Sequence, residues 1–525
     1  MGKEIITTPV RIKKFLGMNN KISDTSIDLM EAASLQNVNI TEESLDQRGG
    51  STKLNTVAFK DKTDTTAKSI NGLYETQLNG NTYRVGTGGD AFKQYTGGAF
   101  VDKTGSVTIT DDDDNLSSFA TFFDGSGTEI VITAFESANP PIKWTGTGDA
   151  VILATPPGNF KFPIVHKNKL WVVVDDIVYY SALLNGESWD IVWDLARFRG
   201  DGEDITGLAI YADRVVVFKP SSIHFISGSS SRDLYIETVV TGDGCASGYS
   251  IQEVESRRYG NILIFLSSEG IIKGFNGTKN LLLLGDPVKP LYDTMNRGRL
   301  KYSTSANYLN RNQYWLSMAY GSGSTQDRIL IYDYFNDVYS DSAGRALSSN
   351  LYHIGIKANA MATFSDSASK QMIVTGDYSG FALRQDYGLL DEAATAITSI
   401  WRGGKIDFGA PSHIKMITDL NVVTTQKSET HLRASMTTTR TSGTAAATIS
   451  TGGSKWGTMT WGTDKWSAPD TKYTRLRLTP DTGELAVAGR YIIPQLYHNT
   501  ASEAMIIEEL IIGVTDLGLQ PEYSE

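Results

Sequence analysis

A chain of 525 residues with 50 glycines, 24 tyrosines and only 14 prolines is too long for one hydrophobic core, and reads as many short strands joined by tight turns in more than one domain. Its formal net charge of −11 excludes a protein that wraps nucleic acid by counterion release, though not one that lets it slide past. The single cysteine, Cys245, excludes a disulfide scaffold; no apolar run approaches the roughly 18 residues of a membrane span, and the N-terminus lacks the apolar core of a signal peptide. A soluble chain made in the cytoplasm, with no membrane anchor, is expected.

Near the start, Ser23 to Gln36 (SDTSIDLMEAASLQ) places Ile27, Met30 or Glu31, and Ser34 at helical spacing behind a Ser/Asp cap, which predicts one short helix. A hairpin then recurs: a short apolar strand, a polar turn, a second apolar strand. Copies begin at Thr82, Glu129, Lys169, Arg214, Asn261, Gln313 and Gln371, so successive starts differ by 47, 40, 45, 47, 52 and 58 residues. That is the length of four short antiparallel strands with their turns, the unit of a β-propeller blade. Unbroken apolar runs such as Val215 to Phe218 and Ile262 to Leu266 suit strands covered on both faces. The two longest spacings imply insertions around Asp286 to Leu300 and Ser340 to Ser349.

From about residue 398 the runs give way to alternation, as in YTRLRLTPDTGELAVAGRYIIPQLYHN, which means one buried and one wet face and predicts a sandwich of antiparallel sheets. The segment Ala504 to Val514 is read as strand rather than helix. The expected class is all-β: a β-propeller of seven blades, alternatively six, over 66–395, a C-terminal β-sandwich over 396–525, and a short mixed segment over 1–65.

Candidate chemistry is sparse. Asp111 to Asp114 form the one dense charge run, but no Glu follows at calcium-loop spacing before Glu129, so a solvated turn is expected. Phe122 to Ile130 (FFDGSGTEI) has a faint likeness to the Asp-box turn of sialidase-type propellers, seen once. The six histidines, His166, His224, His353, His413, His431 and His498, form no ligand pair in sequence, and Cys245 reads as a small strand residue rather than a nucleophile. No phosphate loop, dinucleotide fingerprint or nucleophile elbow is present, so no catalytic residue, metal or cofactor is expected. Trp456, Trp461 and Trp466 recur every five residues, a spacing of neither helix nor strand face; packing onto the sandwich or at an assembly interface is expected, with carbohydrate docking on the flat indoles as the alternative.

The N-terminal stretch carries Phe15, Leu16, Gly17, Asn19 and Asn20, then Asn37 and Val38, then Arg48, Gly49 and Gly50. Glu187 to Gly228 includes Gly202 and Gly207 in a Gly-Asp-Gly-Glu-Asp-Ile-Thr-Gly-Leu segment before a valine-rich hairpin. Gly244 to Gly277 has a Gly-Cys start and a Phe-Leu-Ser-Ser-Glu-Gly-Ile hairpin with Gly270, and Ile400 to Leu420 follows as an exit from the repeats. In these motifs the chain resembles the tail nozzle, or packaged-DNA stabilisation, proteins of short-tailed bacteriophages and their relatives. It departs in lacking the Pro of the usual Arg-Pro-Gly turn. The resemblance implies a structural virion protein, not an enzyme. It would be a homo-oligomeric ring, a hexamer, below the portal and the adaptor of the head-to-tail connector, retaining packaged double-stranded DNA and forming its exit channel. The competing expectation is a carbohydrate-binding or glycan-hydrolysing propeller of a tail or host-attachment protein.

Overall fold

The computed structural model describes residues 9–198, 202–228, 230, 232–425, 430–449, 471–480 and 486–519. It is an all-β molecule; the one α-helix among these residues is the four-residue Lys289–Tyr292. The chain divides into two compact units, one holding residues up to 51, 336–354 and those from 386 on, the other holding 52–335 and 355–385. The boundaries expected at 65 and 395 thus fall nearer 51 and 385, and the insertion expected at Ser340 to Ser349 belongs to the first unit.

The second unit is a succession of small antiparallel sheets in chain order. Their first strands are Gly72–Leu78, Ser117–Phe123, Lys161–His166, Gly207–Tyr211, Gln252–Ser256, Ser305–Tyr308 and Ala360–Ser365. The strands of each sheet pair as consecutive neighbours, except that the last sheet takes its fourth strand, Ser51–Lys53 beside Ala382–Gln385, from the start of the chain; the hairpins that begin at Lys169 and Arg214 stand in adjacent sheets of four strands. Tight two-residue turns set the register. Asn79-Gly80, Gly97-Gly98, Lys167-Asn168 and Ala212-Asp213 have positive φ at both positions, the type I′ geometry that matches strand twist. Second strands are the buried ones: Leu170 to Val173, Val215 to Phe218 and Ile262 to Leu266 are at most 1 % exposed, because each sheet is covered on both faces by its neighbours. Each first strand lies against the next, with the turn Gly248–Ser250 linking fourth to fifth, and Ala360–Ser365 lies against Gly72–Leu78, so the row closes on itself in a propeller-like manner. Beyond the last sheet's third strand, the Leu54 N–H donates to Ala382 O. The Asn55 side chain donates to Gly380 O and accepts from Ala382 N, pinning the start of this unit to its end.

In the first unit a five-stranded sheet runs Val10–Ile12, Glu509–Leu519, His413–Thr425, Thr471–Arg475, with Ala488–Gly489 also on His413–Thr425. A six-stranded sheet runs Ala32–Gln36, Ser399–Gly403, Ile492–His498, Thr430–Thr438, Ser442–Ile449, Thr479–Pro480. Val38–Thr41, Ser44–Gln47 and Ile506–Ile507 form a third. Thr430–Thr438 and Ile492–His498 alternate buried with half-buried or exposed positions, the pattern of a sheet with one face in the core. Within the segment Ala504 to Val514, Ile506–Ile507 and the residues from Glu509 on are strand, broken at Glu508.

The helix expected over Ser23 to Gln36 is corrected: residues 24–30 are turns and Ala32–Gln36 is a strand. Asp28 Oδ1 accepts from Met30 N and Asp28 O from Glu31 N, so the short polar side chain holds a turn rather than capping a helix. Ala32 to Gln36 then find backbone partners in Ser399–Gly403, which a three-turn helix could not offer.

Candidate functional site

Asn37, Arg48 and Gly49 of the N-terminal motif meet in one buried polar network within the first unit. Asn37 sits at φ +54 between two strands, a conformation that Asn tolerates. Its Nδ2 donates to Thr398 O at 2.9 Å, and its Oδ1 accepts from Ile354 N at 2.9 Å and Arg48 Nε at 3.0 Å. The Arg48 side chain is 2 % exposed. Its Nη1 donates to Gly49 O and Asp391 Oδ1, and its Nη2 to Asp391 Oδ2 at 2.5 Å and Ile354 O at 3.2 Å. Every N–H direction of the guanidinium is used. Gly49 is required by closeness, since a Cβ there would lie 2.5 Å from the Asp386 carbonyl carbon.

The other half of the motif does the same work nearby in sequence. At Gly17 a Cβ would lie 2.5 Å from Asn350 N. Asn19 Nδ2 donates to Glu31 Oε1 at 3.0 Å. Glu31, wholly buried, also accepts from Ser348 N at 2.8 Å and Arg345 Nη2 at 3.0 Å. In the second unit Gly207 packs against Gly248 and Ile251, while Gly202 and Gly270 take φ of +73° and +77°. These motif residues make buried hydrogen bonds and close backbone approaches. Trp456, Trp461 and Trp466 lie outside the described residues.

Inside the ring of first strands the second unit holds a cavity of about 260 Å³. Polar walls come from Asn71, Ser117, Ser118, Gln252, Thr304 and Ser305, apolar ones from Phe162, Ile164, Leu208 and Met361. Tyr249 reaches across it: the hydroxyl lies 3.3 Å from Leu116 O and from Glu136 Oε2, and burial, joined by that carboxylate, pushes the phenol well up. Glu136 is itself paired with Lys161 at 3.0 Å. Asn71 Nδ2 donates to Asp112 O, which puts the acidic run Asp111 to Asp114 beside this cavity. The run is more than a solvated turn. Lys68 pairs with Asp111, Ser69 Oγ donates to Asp113, and Arg299 holds Asp114 through both terminal nitrogens.

The turn at Asp124 shows a geometry that the sequence suggested once and the structure repeats. Asp124 Oδ1 accepts from Ser126 N and Thr128 N, with Gly127 at φ +80°. Asp366 does so with Ala368 and Lys370 around Ser369 at +58°, Asp377 with Ser379 and Phe381 around Gly380 at +85°, and, in the first unit, Asp341 with Ala343 and Arg345 around Gly344 at +83°. The shared signal is an Asp three residues before a left-handed position. In each, Oδ1 accepts two backbone N–H groups, while the Oδ2 of Asp124, Asp341 and Asp366 lies beside Lys143, Arg345 and Arg384.

Cys245 is fully buried, its Sγ donating to Ser247 O, and burial pushes the thiol up to about 12, which makes it inert. Two histidines without a partner in sequence do meet: His431 Nδ1 lies 2.5 Å from Glu503 Oε1 and His498 Nε2 3.3 Å from Glu503 Oε2. No group of three or more His, Cys, Asp or Glu suited to a metal occurs among the described residues. Burial lowers the His498 pKa against the pull of Glu503. Glu503 is raised by burial but lowered further by the His431 N–H and both rings, ending below the usual carboxylate range. Both shifts have one sign: the folded state binds fewer protons than the unfolded one. Their contribution is present above pH about 6.5 for the histidine and about 4.3 for the carboxylate, and is lost as pH falls through and below those values. Chemical denaturation at pH 7 and pH 5 should therefore show lower stability at pH 5, and His498→Gln should flatten that difference.

No protein-family model and no curated protein matches the chain. Among solved structures, the extracellular domain of the hybrid two component system BT4673 from B. thetaiotaomicron is similar over 81 % of this chain at 10 % identity with a TM-score of 0.38. The chain spans 47 % of that structure's length. BBS1N, in complexes with ARL6DN soaked with lead or with mercury, is similar over 64 % of this chain and 97 % of its own at 11 % identity, again at 0.38. Likeness at that level says nothing of activity.

Proposed function

We propose that the chain is a structural subunit of a short-tailed bacteriophage tail, a nozzle protein that assembles as a ring below portal and adaptor, retains packaged DNA and forms its exit channel. The observation that carries this reading is the single network formed by Asn37, Arg48 and Gly49, with Gly17 and Asn19 placed by the same unit: the residues of the resemblance are there to build that unit. In this reading the sheets of the second unit are the blades of a seven-bladed propeller. The two larger sheets of the first unit are a sandwich, and with the N-terminal segment they make the platform on which subunits join.

The cavity inside the ring of first strands bears on where DNA could run. At about 260 Å³ and crossed by Tyr249, it offers duplex DNA no path, so the conduit lies between subunits. Six copies at −11 each give 6 × −11 = −66 formal charges, and a wall of like charge lets a polyanion slide without adhering.

Cryo-electron microscopy of particles carrying the protein tests this. A ring of six copies at the tail, with acidic side chains dominating its inner wall, is the expected result. A monomer in purified form that is absent from particles, or a lumen dominated by Lys and Arg, would remove the proposal.

A further inference from the structure

The second unit exposes two apolar patches of opposite charge. The first is the connection between Ile177–Tyr180 and Leu195–Arg197, where Leu183, Ile191, Val192 and Trp193 are 62 %, 56 %, 63 % and 69 % exposed. This is a built display. Gly186 N donates to Phe123 O. Glu187 accepts from Lys143 Nζ at 2.9 Å and Ala154 N at 3.0 Å, and Asp190 Oδ1 accepts from Val192 N and Trp193 N at 3.1 Å. Exposed apolar side chains on a loop anchored at this many points lose little entropy on docking. The charges at the tip are acidic: Asp190 and Asp194 flank the Ile-Val-Trp triplet.

The second patch joins the turn after Gln252–Ser256 to the segment after Gln326–Asp333. The Arg257 guanidinium lies 4.5 Å from the centroid of Phe335, itself 47 % exposed, and Arg258 lies over Tyr259 at 5.8 Å. Tyr334 knits the patch, its O accepting from Arg257 N and its N donating to Asn312 O, beside Leu309 at 58 % exposed. Here the apolar surface is aromatic and the charge basic. In the succession of sheets, the one that begins with Gly207–Tyr211 comes between the sheets that carry the two patches.

We propose that the Trp193 loop of one copy docks onto the Arg257–Phe335 patch of a second copy, a head-to-tail contact that adds a propeller-to-propeller interface to the ring of the proposed function, on which it rests. Made head-to-tail, with each copy giving its loop to one neighbour and its patch to another, the contact is heterologous and closes into a ring or propagates, whereas two copies that made it reciprocally would stop at an isologous dimer. Charge complementarity selects a copy of this chain over other occupants. Asp190 and Asp194 face Arg257 and Arg258 across an apolar centre, and a Trp ringed by polar groups is the usual anchor of such an interface.

The test uses the full chain. Val192→Cys and Arg258→Cys together, with Cys245 buried and inert, should give disulfide-linked chains on mild oxidation, while either change alone should not. Trp193→Asp should raise the apparent dissociation constant of the assembly at least about tenfold by mass photometry. Arg257→Asp should weaken assembly likewise, and Asp194→Arg in the same chain, which leaves the Asp190 anchor in place, should restore it. If the parent forms rings but no cross-link appears and Trp193→Asp assembles as the parent does, this contact is wrong and the ring reading stands. A parent that stays monomeric at every concentration and in particles overturns both. Sedimentation of the parent with phosphatidylcholine vesicles, lost in Trp193→Asp, would overturn the contact in favour of a membrane surface.

Discussion

Replacing Arg48 by Ala should cost on the order of 3 to 5 kcal/mol and unravel the first unit while leaving the second folded. The size follows from what would be stranded. Arg48 is 2 % exposed and Asp391 18 %, and the guanidinium donates to Asn37 Oδ1, Gly49 O, Ile354 O and both carboxylate oxygens of Asp391. Its removal leaves a largely buried carboxylate and several carbonyls without their donor, and the penalty is the desolvation of those groups rather than the modest worth of the pair itself. Arg48→Lys should recover little, because a compact ammonium cannot reproduce a fork that serves five acceptors. Segment-resolved amide exchange checks this: Val38–Thr41 and Ser399–Gly403 should lose protection while Arg214–Phe218 keeps it. Uniform loss in both units would show that they do not fold separately.

The same network shows what the sequence could and could not tell. Apolar hairpins at near-constant spacing were legible because each second strand must be covered on both faces, a demand written into runs such as Val215 to Val217. Turns such as Asn79-Gly80 carry a local signal, because few residues accept positive φ twice in succession. Arg48 and Asn37 were legible only as motif letters. Their partners Asp391, Ile354 and Thr398 lie some 300 residues away in the chain, and no local pattern encodes such pairing. The misread helix has the same origin: Ile27, Met30 and Ser34 fit a helical period, but the strand Ala32–Gln36 is decided by Ser399–Gly403. The recurrent Asp turn was within reach, since an Asp three residues before Gly or Ser stands in the sequence at Asp124, Asp341, Asp366 and Asp377.

In the second unit the largest expected effect is that of Trp171→Ala, a loss of about 3 to 5 kcal/mol confined to this unit. Trp171 is fully buried in the cluster that joins the third sheet to the fourth, among Phe162, Val173, Tyr180, Leu208 and Val217. The indole lies 4.7 Å from the ring of Tyr180, and its Nε1 donates to His166 O at 3.1 Å. Truncation removes the apolar filling and leaves that carbonyl without its donor in a dry place, so cavity and desolvation terms add. Trp171→Phe should cost less, since it keeps most of the ring contact and loses only the hydrogen bond and part of the volume. The position of the defect matters as much as its size. A row of sheets closed on itself has no free end, so loosening the third-to-fourth contact should expose both partners, with faster amide exchange in Lys169–Val174 and Arg214–Phe218 together. Exchange that quickened only in Lys169–Val174 would mean that the sheets open one at a time, and the closed row contributes no cooperativity.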